Sequence, residues 1–159
     1  MNDPSHPVPS DGGNVAYDVD LHGWAIEQAA LLRAGRIDLV DWKNLAEELE
    51  GMARSEYRAL ESALRVLLLH LLKWDAQPTF RSKSWLFSIQ EHHKRYMALL
   101  SDNPSLRNSL EKVRASAHAS ARKLAAAETG LDLTHFPEEP LGWNAIDNPS
   151  ACEEDLPQR

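Results

Sequence analysis

Residues 65–85 read R-V-L-L-L-H-L-L-K-W-D-A-Q-P-T-F-R-S-K-S-W, and their reading decides the fold. Val66, Leu67, Leu68, Leu69, Leu71 and Leu72 leave no polar face over two turns, which a helix tolerates only when other elements surround it. A strand is the rival for so short an apolar run, and length arbitrates. Ser55 to Arg65 carries Glu, Arg, Ala and Leu at helical spacing, and nothing breaks the chain before Pro78. The stretch is therefore expected to be the C-terminal half of one long helix and the hub of a bundle. It falls well short of the ~20 apolar residues that span a bilayer, so no membrane segment is expected. Pro78 stops the helix and biases Gln77 toward extended geometry. The next helix starts near Ser82 or Ser84, either of which can accept from a free N–H.

Working outward, Trp42, Leu45, Leu49 and Met52 form an apolar stripe before the hub, and Leu60, Leu64, Leu67, Leu71 and Trp74 form a second. The two are offset across 51–57, so a bend or break is expected near Gly51. A helix from 41 to 75 would also measure roughly 50 Å, long for a domain of this size. Asp41 is the candidate N-cap, with Glu47 and Glu48 in its early turns. Upstream, 17–34 is a first helix capped by Asp18 or Asp20, with Trp24, Ala25, Gln28, Leu31 and Leu32 on one face and Gly35 at its end. Downstream, 84–101 is a third helix with Trp85, Leu86, Ile89, His93, Tyr96, Met97 and Leu100 inward. Asn103–Pro104 restarts the chain into a fourth helix that runs to Thr129 and ends at Gly130. The fold class is thus all-α: a bundle of four main helices, the long second one bent near Gly51, and a C-terminal extended strap through Leu131, Leu133, Phe136 and Trp143.

The chain has 159 residues and a formal net charge of −7. That length makes one domain with tails and needs no disulfide or metal staple. Residues 54–123 hold 13 Lys and Arg against 6 Asp and Glu, so a basic centre lies between acidic ends. No Lys/Arg run exceeds two, and no nucleic-acid motif is present, so a nucleic-acid partner is not favoured. The single cysteine, Cys152, rules out an intramolecular disulfide and suits a reducing cytoplasm. The start, M-N-D-P-S-H-P-V-P-S-D-G-G-N, lacks the regions of a signal peptide and reads as a disordered lead over 1–16.

These residues resemble the bacterial family DUF29, a domain of unknown function. The likeness covers about Tyr17 to Pro140. It rests on Y-D-V-D-L-H-G-W-A-I-E-Q-A-A-L-L-R-A-G-R-I-D from Tyr17, N-L-A-E-E-L-E from Asn44, S-E-Y-R-A-L-E-S-A-L-R from Ser55, and H-L-L-K-W from His70. Q-P at 77–78, R-S-K-S-W from Arg81, A-A-A-E-T-G-L from Ala125 and F-P-E-E from Phe136 complete it. The most specific part is H-L-L-K-W followed by Q-P and R-S-K-S-W. The resemblance implies an all-helical domain over 17–140. Residues 141–159, strap and loose acidic tail, fit the pattern less well. It implies no activity, substrate or catalytic residue.

Three constellations can carry chemistry. Glu47, Glu48 and Glu50 offer carboxylates, but no histidine follows a glutamate by three residues, so the di-iron bundle pattern is missing and a solvated acidic first turn is the plainer reading. No metal and no cofactor is expected. His70, inside the leucine run, is either a satisfied core histidine or a base or ligand paired with Glu27, Glu47, Glu48 or Glu56. Lys73 and Trp74, with Arg81, Ser82 and Trp85 across the Pro78 turn, are either the closed end of the core or a corner able to hold an anion. Cys152 stands beside Glu153, Glu154 and Asp155, which disfavour a thiolate. No nucleophile elbow, glycine-rich phosphate loop or dinucleotide fingerprint occurs. The leading expectation is a cytoplasmic protein that acts by binding another protein. The alternative is a small ligand binder or enzyme around His70 and the Trp74/Arg81/Trp85 corner, and a nucleic-acid binder through the basic centre comes third.

Overall fold

The computed structural model describes residues 16–149 and 151–155. They are all-α, with no strand among the described residues. The helices are α1 (Leu21–Arg33), α2 (Trp42–Ala76), α3 (Lys83–Asp102), α4 (Leu110–Thr129), α5 (Trp143–Asp147) and α6 (Ala151–Glu154). Short 3-10 turns at Ile37–Leu39, Pro78–Phe80, Pro104–Ser109 and Leu133–His135 join them. None of the described helices is long and apolar enough to cross a membrane. The chain divides into two compact units, with the boundary between Met52 and Ala53, inside α2. α2 is uninterrupted helix through Gly51. The change expected near Gly51 is therefore not a break in hydrogen bonding; it marks where one apolar stripe gives way to the other.

In the first unit, Asp20 caps α1 by accepting from the Gly23 N–H at 2.9 Å, and Gly35 takes the left-handed φ of +69° after its end. Its interior is small: Trp24, Gln28 and Val40. Asp41 ties it together. Its carboxylate accepts from Trp24 Nε1 at 3.3 Å, from the Asn44 N–H at 3.3 Å and from Asn44 Nδ2 at 2.7 Å. Its own N–H donates to Gln28 Oε1 at 2.8 Å. The Tyr17 ring meets Trp24 edge-on at 5.0 Å, and its hydroxyl donates to Glu48 at 2.5 Å. These contacts turn the Asp41–Asn44–Glu48 face of α2 toward α1. The Trp42, Leu49 and Met52 face, one residue round the helix, is left exposed at 53%, 58% and 64%. The stripe expected to be interior is thus largely exterior, with Leu45 half-buried at its border.

The second unit holds the main core. Leu60, Leu64, Leu67, Leu71 and Trp74 of α2 are buried, as the second stripe predicts, and Leu68 and Leu72 of the apolar run are buried with them. Ser82 caps α3 by accepting from the Trp85 N–H at 3.3 Å. α3 contributes Ile89, Tyr96 and Leu100, while Met97, expected inward, is 46% exposed. α3 runs antiparallel to α2: Trp85 lies by Lys73, and Asn103 donates to Glu56 at 3.1 Å. α4 runs parallel to α2, with Ser116 donating to Glu61 and Lys73 to Glu128. Pro104 opens a 3-10 turn, so α4 begins at Leu110, later than the Asn103–Pro104 restart suggests. Val113, Ala117, Ala121 and Ala125 make its buried seam, and Gly130 closes it at φ +73°.

The strap is clamped by α4. His118 donates from Nε2 to the Pro137 carbonyl at 3.0 Å, Arg122 to Phe136 at 3.2 Å, and Arg114 to Leu141 at 3.1 Å. Phe136 and Ile146 enter the core, whereas Leu133, expected to anchor the strap, is partly exposed. Of the acidic tail expected to be loose, 151–155 are described, and 150 and 156–159 lie outside the described residues. Cys152 on α6 is buried in the core, because Asp155 and Glu153 beside it find donors on α2 and α3.

Candidate functional site

Six of the eight residues singled out from sequence, His70, Lys73, Trp74, Arg81, Ser82 and Trp85, lie in the second unit, and Glu47 and Glu48 lie in the first. Helix α2 carries Lys73 and Trp74 on its last turn. Pro78 then ends the helix, and the 3-10 turn returns Arg81 to the same end of the bundle. The Arg81 guanidinium stacks 5.2 Å from the Trp74 ring and donates from Nε to the Trp74 carbonyl at 3.0 Å. Lys73 Nζ sits 4.5 Å from the Trp85 ring centre and donates to Glu128 at 2.6 Å. Ser82 is committed to the α3 cap.

This corner does hold an anion, and the chain itself supplies it. The Asp155 carboxylate accepts from Arg81 at 3.0 Å and from Trp74 Nε1 at 3.4 Å. Cation, indole N–H and carboxylate thus form one network. Asp75, beside it, has its carboxyl pushed up by burial, with Asp155 adding in the same direction and Arg81 opposing. Burial, then Asp75 and Asp155, push the Cys152 thiol up as well, which keeps it protonated and unreactive. Chemically the corner is a tether for a carboxylate, with its donors engaged.

His70 is half-buried rather than enclosed. Its Nδ1 lies 3.0 Å from the Val66 carbonyl, to which the Nδ1–H donates. Of the two readings open for His70, a satisfied histidine or one paired with a carboxylate, the contact present is with a backbone oxygen one turn back, while Glu48 accepts from Tyr17 and Glu56 from Asn103. Across on α3, burial lowers the His92 pKa, with His70 and then Arg95 adding to the effect. Glu48 raises the Tyr17 hydroxyl to about 12 by accepting its proton in a hydrogen bond. Among the described residues, no three His, Cys, Asp or Glu side chains are gathered where a metal ion would sit.

Sequence reasoning missed three groups. Asp155 closes the corner from 81 residues away, and no local pattern announces it. Glu128 does the same for Lys73. His118, 1% exposed, is the fully buried histidine of the chain's described part. Its signal was present: it sits among the small residues of α4, next to Ala117 in the apolar seam. Burial lowers its pKa, and the Pro137 carbonyl opposes this in part.

Comparison with known proteins gives one match. The family model described as Domain of unknown function DUF29 covers residues 16–146, most of the chain. No curated protein and no solved structure matches it.

Proposed function

The chain belongs to the DUF29 family, and from that premise we propose that it works as a non-catalytic protein-interaction module. One observation carries this reading: the uncovered apolar face on the first half of α2. Trp42, Leu49 and Met52 are more than half exposed, and Ile37 and Leu39, at 50% each, extend the apolar surface on the preceding turn. Contiguous exposed apolar surface marks sites of association, and Trp and Met are enriched at the centres of protein interfaces. The polar corner supports the same reading indirectly. Its cations already hold Glu128 and Asp155, so it offers an incoming ligand little that is unsatisfied. The reading includes the bacterial cytoplasm as the compartment, where a lone thiol such as Cys152 stays reduced.

The test is a pull-down of the tagged full chain from its native cells, read by mass spectrometry and by nucleic-acid absorbance. It compares the natural sequence with a Trp42→Ser/Leu49→Ser/Met52→Ser variant of unchanged circular dichroism. A stoichiometric protein partner that the variant loses is the expected result. A chain that elutes alone, or only with nucleic acid, sinks the module reading. A partner retained by the folded variant sinks this face.

A further inference from the structure

A cleft of ≈300 Å³ opens between the parallel helices α2 and α4 of the second unit, lined by Arg58, Glu61, Ser62, Arg65 and Ser120. Arg58, Ser62 and Arg65 follow one another at steps of four and three, which puts them on one face of α2. Glu61 stands three residues after Arg58 and four before Arg65, the spacings at which helical ion pairs form. It pairs with neither, and instead accepts from Ser116 on α4. Neither guanidinium makes a hydrogen bond or ion pair with any described residue, and Arg65 Nε is shielded from solvent without a partner. Leaving a buried donor unpaired is costly, and native structures seldom do it.

Three other arginines of this unit each have a guanidinium partner, although Nε of Arg114 and of Arg122 is shielded and unpartnered like that of Arg65. Arg81 holds Asp155 and the Trp74 carbonyl, Arg114 holds Glu111 and the Leu141 carbonyl, and Arg122 holds the Phe136 carbonyl. At the cleft two arginines on one helix face open space together, with two serine hydroxyls beside them. Lys112 and Lys123, exposed and on the Ser116–Ser120 face of α4 by spacing, add positive potential at its flanks.

We propose that this cleft binds a small phosphomonoester, its phosphoryl group held between Arg58 and Arg65 with Ser62 and Ser120 as further donors. Two guanidinium forks match a dianion with three acceptor oxygens, which a phosphomonoester carries near neutral pH. The volume suits a small molecule. Glu61 is the one opposing charge, and its bond to Ser116 draws it toward α4. The site does not depend on the interaction reading above.

Isothermal titration of the full chain tests it, with glycerol phosphate, inorganic phosphate and acetate as probes in a zwitterionic buffer of constant ionic strength. Saturable one-to-one binding of glycerol phosphate is expected, with inorganic phosphate competing. Affinity falls about tenfold in Arg65→Gln and in Arg58→Gln. Arg107→Gln, at an exposed arginine outside the cleft, leaves it unchanged. Arg58 is exposed and touches no partner, so its variant reports binding even where Arg65→Gln alters folding. Absence of saturable binding, an Arg58→Gln chain that binds as tightly as the natural one, or equal affinity for acetate each overturns the proposal.

Discussion

The two halves of α2 carry the same kind of apolar stripe and meet opposite fates. From Leu60 to Trp74 the stripe is sealed inside the second unit, and from Trp42 to Met52 it faces out. The second unit is held by leucines, each contributing about 1.5–3 kcal/mol when fully buried. The first is held by polar contacts around Asp41 and Gln28, each worth about 1 kcal/mol net. Periodicity therefore reports which residues share a face. It does not report whether anything covers that face, because covering depends on the rotation at which a neighbour docks. Here the Asp41 cap and the Tyr17–Glu48 bond set that rotation, one residue away from the apolar line.

The contrast breaks most easily at the core. Leu67→Ala, at a site with no exposure, should lower global stability by about 2–5 kcal/mol in urea denaturation. A loss below about 1 kcal/mol would mean that the leucine core does not carry the second unit. Next comes Gln28→Ala, which removes the acceptor of the Asp41 N–H. A cost of about 1–2 kcal/mol is expected, and hydrogen exchange should show it in 21–33 while 60–74 stays protected. Exchange that rises equally in both segments would erase the distinction between the units.

A smaller effect concerns pH. Burial lowers the His118 pKa in the folded chain, so the unfolded chain binds the proton more readily. Stability contributed by neutral His118 is complete above the unfolded value of about 6.5 and is lost as pH falls through it toward the folded value. His92, shifted the same way, adds to the slope. The melting temperature should drop by a few degrees from neutral to mildly acidic pH, and His118→Gln should flatten that dependence. An unchanged slope in the variant would remove His118 from the account. Smallest of all is Leu49→Ser on the open stripe, expected to shift stability by no more than about 0.5 kcal/mol. A large destabilisation there would show that the face is covered after all.

Much of the fold was legible because its signals are local. Pro78 ending α2, Ser82 capping α3 and Gly130 closing α4 each act within one turn of where they stand. The leucine run had no polar face to misread. The corner was legible as a set of side chains, since Lys73, Trp74, Arg81 and Trp85 do converge. Its closure was not, because Asp155 and Glu128 arrive from distant sequence. Met97 and Leu124 show another limit. Each is apolar and at helical spacing, yet each falls just off the buried line, and on α4 the small Ala125 takes the inner position instead.

Cys152 gives the chain a clock. It is the one thiol in the sequence, 8% exposed, and doubly protected by enclosure and by a raised pKa. A thiol reagent reaches it only when α6 lifts from the bundle, which releases Asp155 from Arg81 and Trp74. When lifting and reseating are fast, the labelling rate is the rate for a free thiol multiplied by the fraction of time the tail stands open. A colorimetric assay on the natural sequence, without any introduced probe, thus times the opening of one end of the core.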